Sequence, residues 1–139
     1  MDNKLDLTNI KNAVATLEEA INYYNTDVEQ PIKNMYADSC IQRFEYTYEL
    51  SWKIMKKYLK LFFNKTEQEL TIKNIFRYSQ GYGLIQDWTK WVEYNDARNN
   101  TSHEYNLNKA QFVLTVLQTF LEDVKSFIIC LEQSINENN

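Results

Sequence analysis

The sequence contains few of the residues that build tight turns. Its 139 residues include two glycines and one proline. A β-sandwich or barrel needs turn residues roughly every 8–12 positions, so this supply excludes both architectures. Gly81 and Gly83 are the only glycines, and G-x-G without a third glycine does not form a dinucleotide- or phosphate-binding loop. At 44% hydrophobic and 14% aromatic residues, the chain has enough apolar surface to bury a helical core.

Histidine, cysteine and long apolar runs are also scarce. A single histidine excludes a histidine-rich metal site, and we predict no metal and no cofactor. Cys40 and Cys130 lack C-x-x-C spacing and lie in amphipathic patterns, as reduced core cysteines do. No apolar run approaches the ~20 residues of a membrane span, and the N-terminus does not resemble a secretory signal. We therefore expect a cytoplasmic protein without membrane contact.

Charge gives a mixed indication. The formal net charge of −4 argues against a dedicated nucleic-acid binder, which is usually basic. Lysine outnumbers arginine twelve to three, which makes each arginine notable. Lys53, Lys56, Lys57 and Lys60 have the spacing of one helix face. Such a stripe is usually solvated, although it could contact RNA or an acidic partner.

Hydrophobic periodicity predicts an all-α fold in one domain over residues 1–139, with residues 1–6 and 135–139 frayed. The predicted helices run over about 8–25, 31–64 and 71–80, then from 88 with Asp87 as N-cap, and from 108. Gly81 is expected to adopt the left-handed conformation after the third helix. Four long helices and one short helix with short connections indicate an up-and-down bundle.

The last predicted helix has the cleanest apolar stripe. The stripe comprises Ala110, Val113, Leu117, Phe120, Val124, Phe127 and Leu131, widened by Leu114, Leu121 and Ile128. A stripe this wide packs against more than one neighbour. We therefore expect a homodimer, with Phe112, Phe120 and Phe127 near its interface.

The polar segment Asp96–Asn106 holds the only histidine and one of the three arginines. Arg98 and His103 would point ~140° apart on an unbroken helix, so they can converge only if the helix ends or loosens between them. Residues 99–102 (Asn-Asn-Thr-Ser) weaken helices, so the sequence permits a cluster at a helix terminus.

This cluster suits phosphate chemistry. An arginine offers a bidentate fork to phosphate, and a histidine can move a proton at neutral pH. Together Arg98 and His103 could cleave RNA without metal, with Asn99 and Ser102 as candidate nucleotide-binding side chains. The ordinary alternative is that the arginine and histidine make caps and surface ion pairs.

Glu45 and Glu49 lie one helical turn apart in FEYTYELSW. Paired carboxylates can bind metal, but no other ligands accompany them, so we expect a structural role in which Glu49 faces Lys53. A nucleophile pair of Cys40 and His103 has no support in the sequence.

Two segments, FEYTYELSWKIMKKYL and ARNNTSHEYN, closely resemble the nucleotidyltransferase substrate-binding family of the HEPN superfamily (higher eukaryotes and prokaryotes nucleotide-binding). The resemblance covers nearly the whole chain. It implies a HEPN-like dimeric bundle that partners a minimal nucleotidyltransferase in a toxin–antitoxin-like pair. In active HEPN ribonucleases the motif Arg and His are catalytic and come from both subunits. These roles fall on Arg98 and His103, with Asn99 as the polar neighbour.

The resemblance also implies a control step. In related toxins the tyrosine two residues after the histidine receives nucleotidyl groups from the partner, which silences the toxin. Tyr105 occupies that position. Two other functions remain open for this chain: a non-catalytic subunit that binds nucleotide or presents substrate to the transferase, and a helical oligomerisation module.

Overall fold

A computed structural model describes the backbone of residues 5–103 and 107–137, and the side chains of residues 5–99 and 111–137. Within these ranges the chain forms five helices and no strand: α1 Thr8–Tyr24, α2 Gln30–Phe63, α3 Ile72–Gly81, α4 Trp88–His103 and α5 Leu107–Glu137. The all-α prediction of long helices plus one short helix, α3, is confirmed. Leu5 is buried and α5 continues to Glu137, while residues 1–4 and 138–139 of the predicted frayed ends lie outside the described residues.

Local sequence signals account for the helix ends. Pro31 lies in the first turn of α2, where its missing N–H leaves no hydrogen bond unmade. Asn64 ends that helix with φ 55°. The Thr71 hydroxyl accepts from the Asn74 amide at 3.3 Å at the start of α3, and the Asp87 carboxylate accepts from the Thr89 amide at 2.9 Å at the start of α4. Both are N-caps of the usual kind.

The prediction of a left-handed Gly81 is wrong. Gly81 is the last residue of α3, and the positive φ, 81°, belongs to Gly83. The left-handed residue of the turn between α3 and α4 therefore lies two positions later than the sequence pattern indicates. In this turn the Gly83 amide donates to the Gln80 carbonyl.

The core is an aromatic cluster that joins α2, α4 and α5. The Phe120 ring lies 4.9 Å from that of Phe44 and 5.8 Å from that of Trp91, and Phe127 lies 6.0 Å from Trp91. The predicted α5 stripe is buried from residue 113 onward except for Leu114, which is partly buried, and its buried members are Val113, Leu117, Phe120, Leu121, Val124, Phe127, Ile128 and Leu131. The side chain of Ala110 lies outside the described residues.

This packing corrects the expectation for the dimer interface. Phe120 and Phe127 have no exposed surface, because both rings fill the core of their own chain. They are therefore unavailable to a second copy. Phe112, with 41% of its surface exposed, remains accessible.

The two cysteines occupy positions typical of structural thiols. Cys40 is fully buried, Cys130 is partly buried, and neither forms a disulfide. Burial raises the pKa of the Cys40 thiol to about 11, which disfavours the thiolate that a nucleophile requires.

Candidate functional site

Arg98 lies near the end of α4, beside the middle of α2. Its Nε is 3.2 Å from Glu49 Oε1, and its Nη1 is 3.7 Å from Glu45 Oε2. Glu45 and Glu49 follow each other by one turn of α2, so their carboxylates reach the same guanidinium from one helix face. The side chain of Arg98 is 25% exposed, and those of Glu45 and Glu49 are 27% and 31% exposed. The cluster is therefore half-buried and open to solvent on one side.

The orientation of Glu49 is fixed in turn by α2 itself. The Trp52 indole Nε1 donates to Glu49 Oε2 at 3.2 Å, while the other carboxylate oxygen meets Arg98. Because Trp52 and Arg98 contact different oxygens of Glu49, they fix the plane of its carboxylate. The carboxylate in turn positions the guanidinium of Arg98.

A buried hydrogen bond holds α2 and α4 together beside this cluster. The Tyr48 hydroxyl donates to Asn95 Oδ1 at 2.7 Å, and Tyr48 has no exposed surface. Burial raises the pKa of Tyr48 far above its ordinary value, and the charge of Glu49 adds to the effect. Tyr48 therefore stays protonated and keeps this bond at any physiological pH.

Sequence reasoning missed the partnership of the two glutamates with Arg98. Glu49 does not face Lys53 as predicted. The ammonium of Lys53 instead lies 5.8 Å from the Trp52 ring centroid. The sequence does contain a signal for this partnership, because Glu45 and Glu49 stand at positions i and i+4 of a helix and arginine is rare in the chain. Because the guanidinium occupies the space between the two carboxylates, their arrangement is that of an ion pair.

The helix that carries Arg98 continues through the polar stretch 99–102, where the sequence permitted it to end. α4 runs without interruption to His103, so positions 98 and 103 lie ~140° apart around its axis. The expected convergence of the two residues at a helix terminus therefore does not arise from the backbone of one chain. Asn99 follows Arg98 on α4 and is exposed.

Three predicted site residues fall at the edge of the described structure. Ser102 and His103 lie in the last turn of α4, and their side chains are outside the described residues. Tyr105 lies in the segment 104–106, which is also outside them. Their predicted roles stay predictions.

The predicted basic stripe lies on α2. Lys53, Lys57 and Lys60 are exposed, while Lys56 and Lys60 both pair with Glu67 in the loop after α2.

In the portion of the chain that the structure describes, no helix is long and apolar enough to cross a membrane.

This chain is similar to known proteins in both sequence and fold. A Haemophilus influenzae protein named "Probable ribonuclease HepT" is 34% identical over an alignment that covers 93% of this chain and 92% of that protein. A solved structure from the same organism, described as the fold of a substrate binding domain of a nucleotidyltransferase, matches with a TM-score of 0.80 at 30% identity. That match covers 91% of this chain and 99% of the other.

A crystal structure from Thermus thermophilus matches with a TM-score of 0.70 at 26% identity, covering 86% of this chain and 95% of the other. The predicted HEPN-like helical fold is confirmed by these similarities. The family model described as "Nucleotidyltransferase substrate binding protein like" matches residues 5–133. The chain therefore belongs to this family of partners of nucleotidyltransferases.

Proposed function

We propose that this chain is the ribonuclease of a toxin–antitoxin-like pair, and that its partner is a minimal nucleotidyltransferase. The observation that carries the proposal is the placement of Arg98, held by Glu45 and Glu49 at a solvent-open edge. An arginine keeps its charge at all physiological pH values and can bind a phosphate with two parallel hydrogen bonds. The name of the Haemophilus relative, a probable ribonuclease, supports the same chemistry.

The proposed reaction uses the ribose 2′-hydroxyl of RNA as the nucleophile. His103 takes the proton of this hydroxyl while water protonates the departing 5′-oxygen, or His103 protonates the departing oxygen while water takes the proton of the hydroxyl. In both cases Arg98 stabilises the charge that builds on phosphorus. The P–O5′ bond breaks as the O2′–P bond forms. The products are a 2′,3′-cyclic phosphate and a free 5′-hydroxyl, and the reaction needs no metal ion.

The proposal includes a homodimer with a shared cleft. Since α4 holds positions 98 and 103 ~140° apart, Arg98 of one copy acts with His103 of a second copy. Light scattering is expected to give a dimer at micromolar concentration, and a monomer would contradict this arrangement.

Mixing two inactive variants tests the shared cleft directly. A heterodimer of Arg98→Ala with His103→Ala carries one intact composite site, so a fully exchanged equimolar mixture regains about a quarter of wild-type activity. Each variant alone stays inactive. A mixture as inactive as its components would show that the two residues act within one chain.

We also propose that the nucleotidyltransferase silences the toxin by transferring AMP from ATP to the Tyr105 hydroxyl, with release of pyrophosphate. The added phosphodiester brings bulk and negative charge two residues from His103, where the RNA phosphate would lie. Co-expression with the cognate transferase is expected to add one or more AMP units at Tyr105, read by intact mass and peptide spectra. Tyr105→Phe should stay toxic and escape silencing. Label on another tyrosine would contradict the assignment.

Growth after induction of the chain alone tests the toxin role. The wild type is expected to arrest growth, and Arg98→Ala is expected to relieve the arrest at equal protein level. Arrest by both forms would place toxicity elsewhere in the molecule.

A second function, a non-catalytic subunit that binds nucleotide or presents substrate, is favoured by one observation. The two carboxylates beside Arg98 give the cluster a formal charge of −1, which weakens phosphate binding at that point. This alternative predicts that the transferase loses substrate affinity when the subunit is removed, while the chain by itself leaves RNA intact.

A further inference from the structure

Positive charge is concentrated in one stretch of this acidic chain. Residues 53–77 contain seven Lys and Arg and two Asp and Glu, which gives this stretch a formal charge of +5. The remaining residues contain eight Lys and Arg and seventeen Asp and Glu, which gives them a formal charge of −9. The stretch comprises the end of α2, the following loop and most of α3. α2 and α3 pack against each other, and Glu67 ties the loop to α2. The positive charge therefore lies at one end of the molecule.

The exposed lysines of α2 form a row that begins beside the candidate site. At 100° per residue, Lys57 and Lys60 lie within ~40° of Lys53 around the helix, and all three are exposed. Lys53 follows Glu49, the contact of Arg98, by one helical turn. Lys53 and Lys57 make no ion pair with any residue in the described part of the chain.

An exposed aromatic ring continues this row on the other side of Glu49. Tyr46 precedes Lys53 by seven residues, which places both within ~20° of each other on the face of α2. Tyr46 is 50% exposed. A ring on which a base can stack, in line with cations about one helical turn apart, is the combination that binds single-stranded nucleic acid.

We propose that Tyr46, Lys53, Lys57 and Lys60 form a track that binds single-stranded RNA and leads it to Arg98. Tyr46 stacks on a base, and the lysines contact successive phosphates. The choice of RNA, and Arg98 as the end of the track, rest on the proposed function. Binding along the track does not depend on cleavage.

The lysines are tested by RNA binding at several salt concentrations. Fluorescence anisotropy with a short labelled single-stranded RNA is measured for the full chain in a His103→Ala background, so that cleavage does not interfere. Lys53→Gln with Lys57→Gln removes two phosphate contacts. At 0.1 M salt the affinity should fall about 25-fold, and the slope of log K against log salt should shrink by about 1.4.

The matched control is Lys11→Gln with Lys90→Gln. It changes the net charge equally, and both lysines are exposed and lie outside residues 53–77. The control should keep the wild-type slope. Equal affinities and slopes for the two double variants would overturn the track.

The ring has a control of its own. Tyr46→Ala should weaken RNA binding by about tenfold through lost stacking. Tyr23→Ala removes a ring that is equally exposed, at 50%, but lies on α1, and it should leave RNA binding unchanged. Equal losses from both variants would remove Tyr46 from the track.

Two further outcomes separate the track from the proposed function. If the Lys53 and Lys57 variant keeps its RNA affinity but no longer co-purifies with the transferase, the surface binds an acidic protein and the RNA track is wrong. If the chain does not cleave RNA yet loses binding with the two lysines, the ribonuclease fails and the track stands. Cleavage with unchanged kcat/KM in the lysine variant would overturn the track and leave the ribonuclease intact.

Discussion

Helices α2 and α4 meet at two regions that differ in almost every physical respect. On the inner side, Phe44 and Trp91 both pack against Phe120 of α5, and none of the three rings reaches solvent to more than 1%. On the outer edge, Glu45 and Glu49 hold Arg98 in a polar cluster that is a quarter or more exposed. Glu45 follows Phe44 directly in the sequence, so the two regions are separated by the ~100° that one residue turns around the axis of α2.

The difference indicates a division of roles. Apolar rings without solvent contact contribute a large share of stability, whereas a half-exposed ion pair contributes about 0–1 kcal/mol. We therefore expect changes in the inner region to alter unfolding, and changes at the outer edge to alter chemistry at nearly constant stability. The following variants test whether stability and chemistry depend on separate regions.

The largest expected effect is on catalysis. His103→Ala removes a general acid–base group from the proposed outer site, and RNA cleavage should fall by roughly 10²–10⁴. The melting temperature, read by circular dichroism, should stay close to that of the wild type. A large loss of stability in this variant would mean that the end of α4 also supports the fold.

The inner region should respond in the opposite way. Phe120→Ala empties the junction of three helices and should lower the free energy of unfolding by about 3–5 kcal/mol, measured by urea denaturation. Ile129→Ala on the same helix, where the side chain is 57% exposed, should cost less than about 0.5 kcal/mol. Similar losses in the two variants would contradict the packing around Phe120.

A smaller effect tests whether Glu49 positions Arg98. Glu49→Gln keeps the size of the side chain and removes the charge that orients the guanidinium. We expect kcat to fall roughly ten- to hundredfold, while KM stays constant or falls because a repulsive carboxylate is gone.

The matched control is Glu93→Gln, which removes the exposed partner of Lys90 on α4 and should leave both constants unchanged. A rise in KM at constant kcat would show that Glu49 acts on substrate binding rather than on Arg98.

The smallest effect concerns the basic end of the molecule. Lys56 and Lys60 lower the pKa of Glu67 from its ordinary value of 4.5 to about 2. Because the folded-state pKa is depressed, the stabilisation is complete above the unfolded value of about 4.5 and is lost as pH falls toward 2. Carboxyl NMR should show Glu67 titrating near pH 2 in the wild type. With Lys56→Gln and Lys60→Gln the pKa should return toward the ordinary value, and no change would contradict the pairing.

Much of the inner region could be predicted from sequence because it is periodic. The stripe from Val113 to Leu131 repeats every three or four residues and is buried as predicted. The periodicity did not reveal which partner covers the stripe. The pattern therefore predicts Phe120 and Phe127 near the interface with a second copy, although α2 and α4 of the same chain cover them.

The outer site could be predicted only in part. Arg98 was identified from its motif and its rarity, but its contact with Glu49 spans 49 positions in sequence and depends on how α2 and α4 are rotated against each other. Local rules favoured Lys53, one turn away on the same helix. Similarly, weak helix formers at 99–102 did not end α4, because helix propensity is a small term beside tertiary packing.

RNA cleavage in EDTA by the wild type and by Arg98→Ala, with the melting temperature of each form measured on the same preparations, tests the central claim most directly. We predict that the wild type cleaves single-stranded RNA in EDTA and leaves a 2′,3′-cyclic phosphate. Arg98→Ala should melt within a few degrees of it, as expected for a half-exposed ion pair, and lose at least as much activity as His103→Ala. Cleavage that requires added divalent metal, or that persists in Arg98→Ala, would contradict the account.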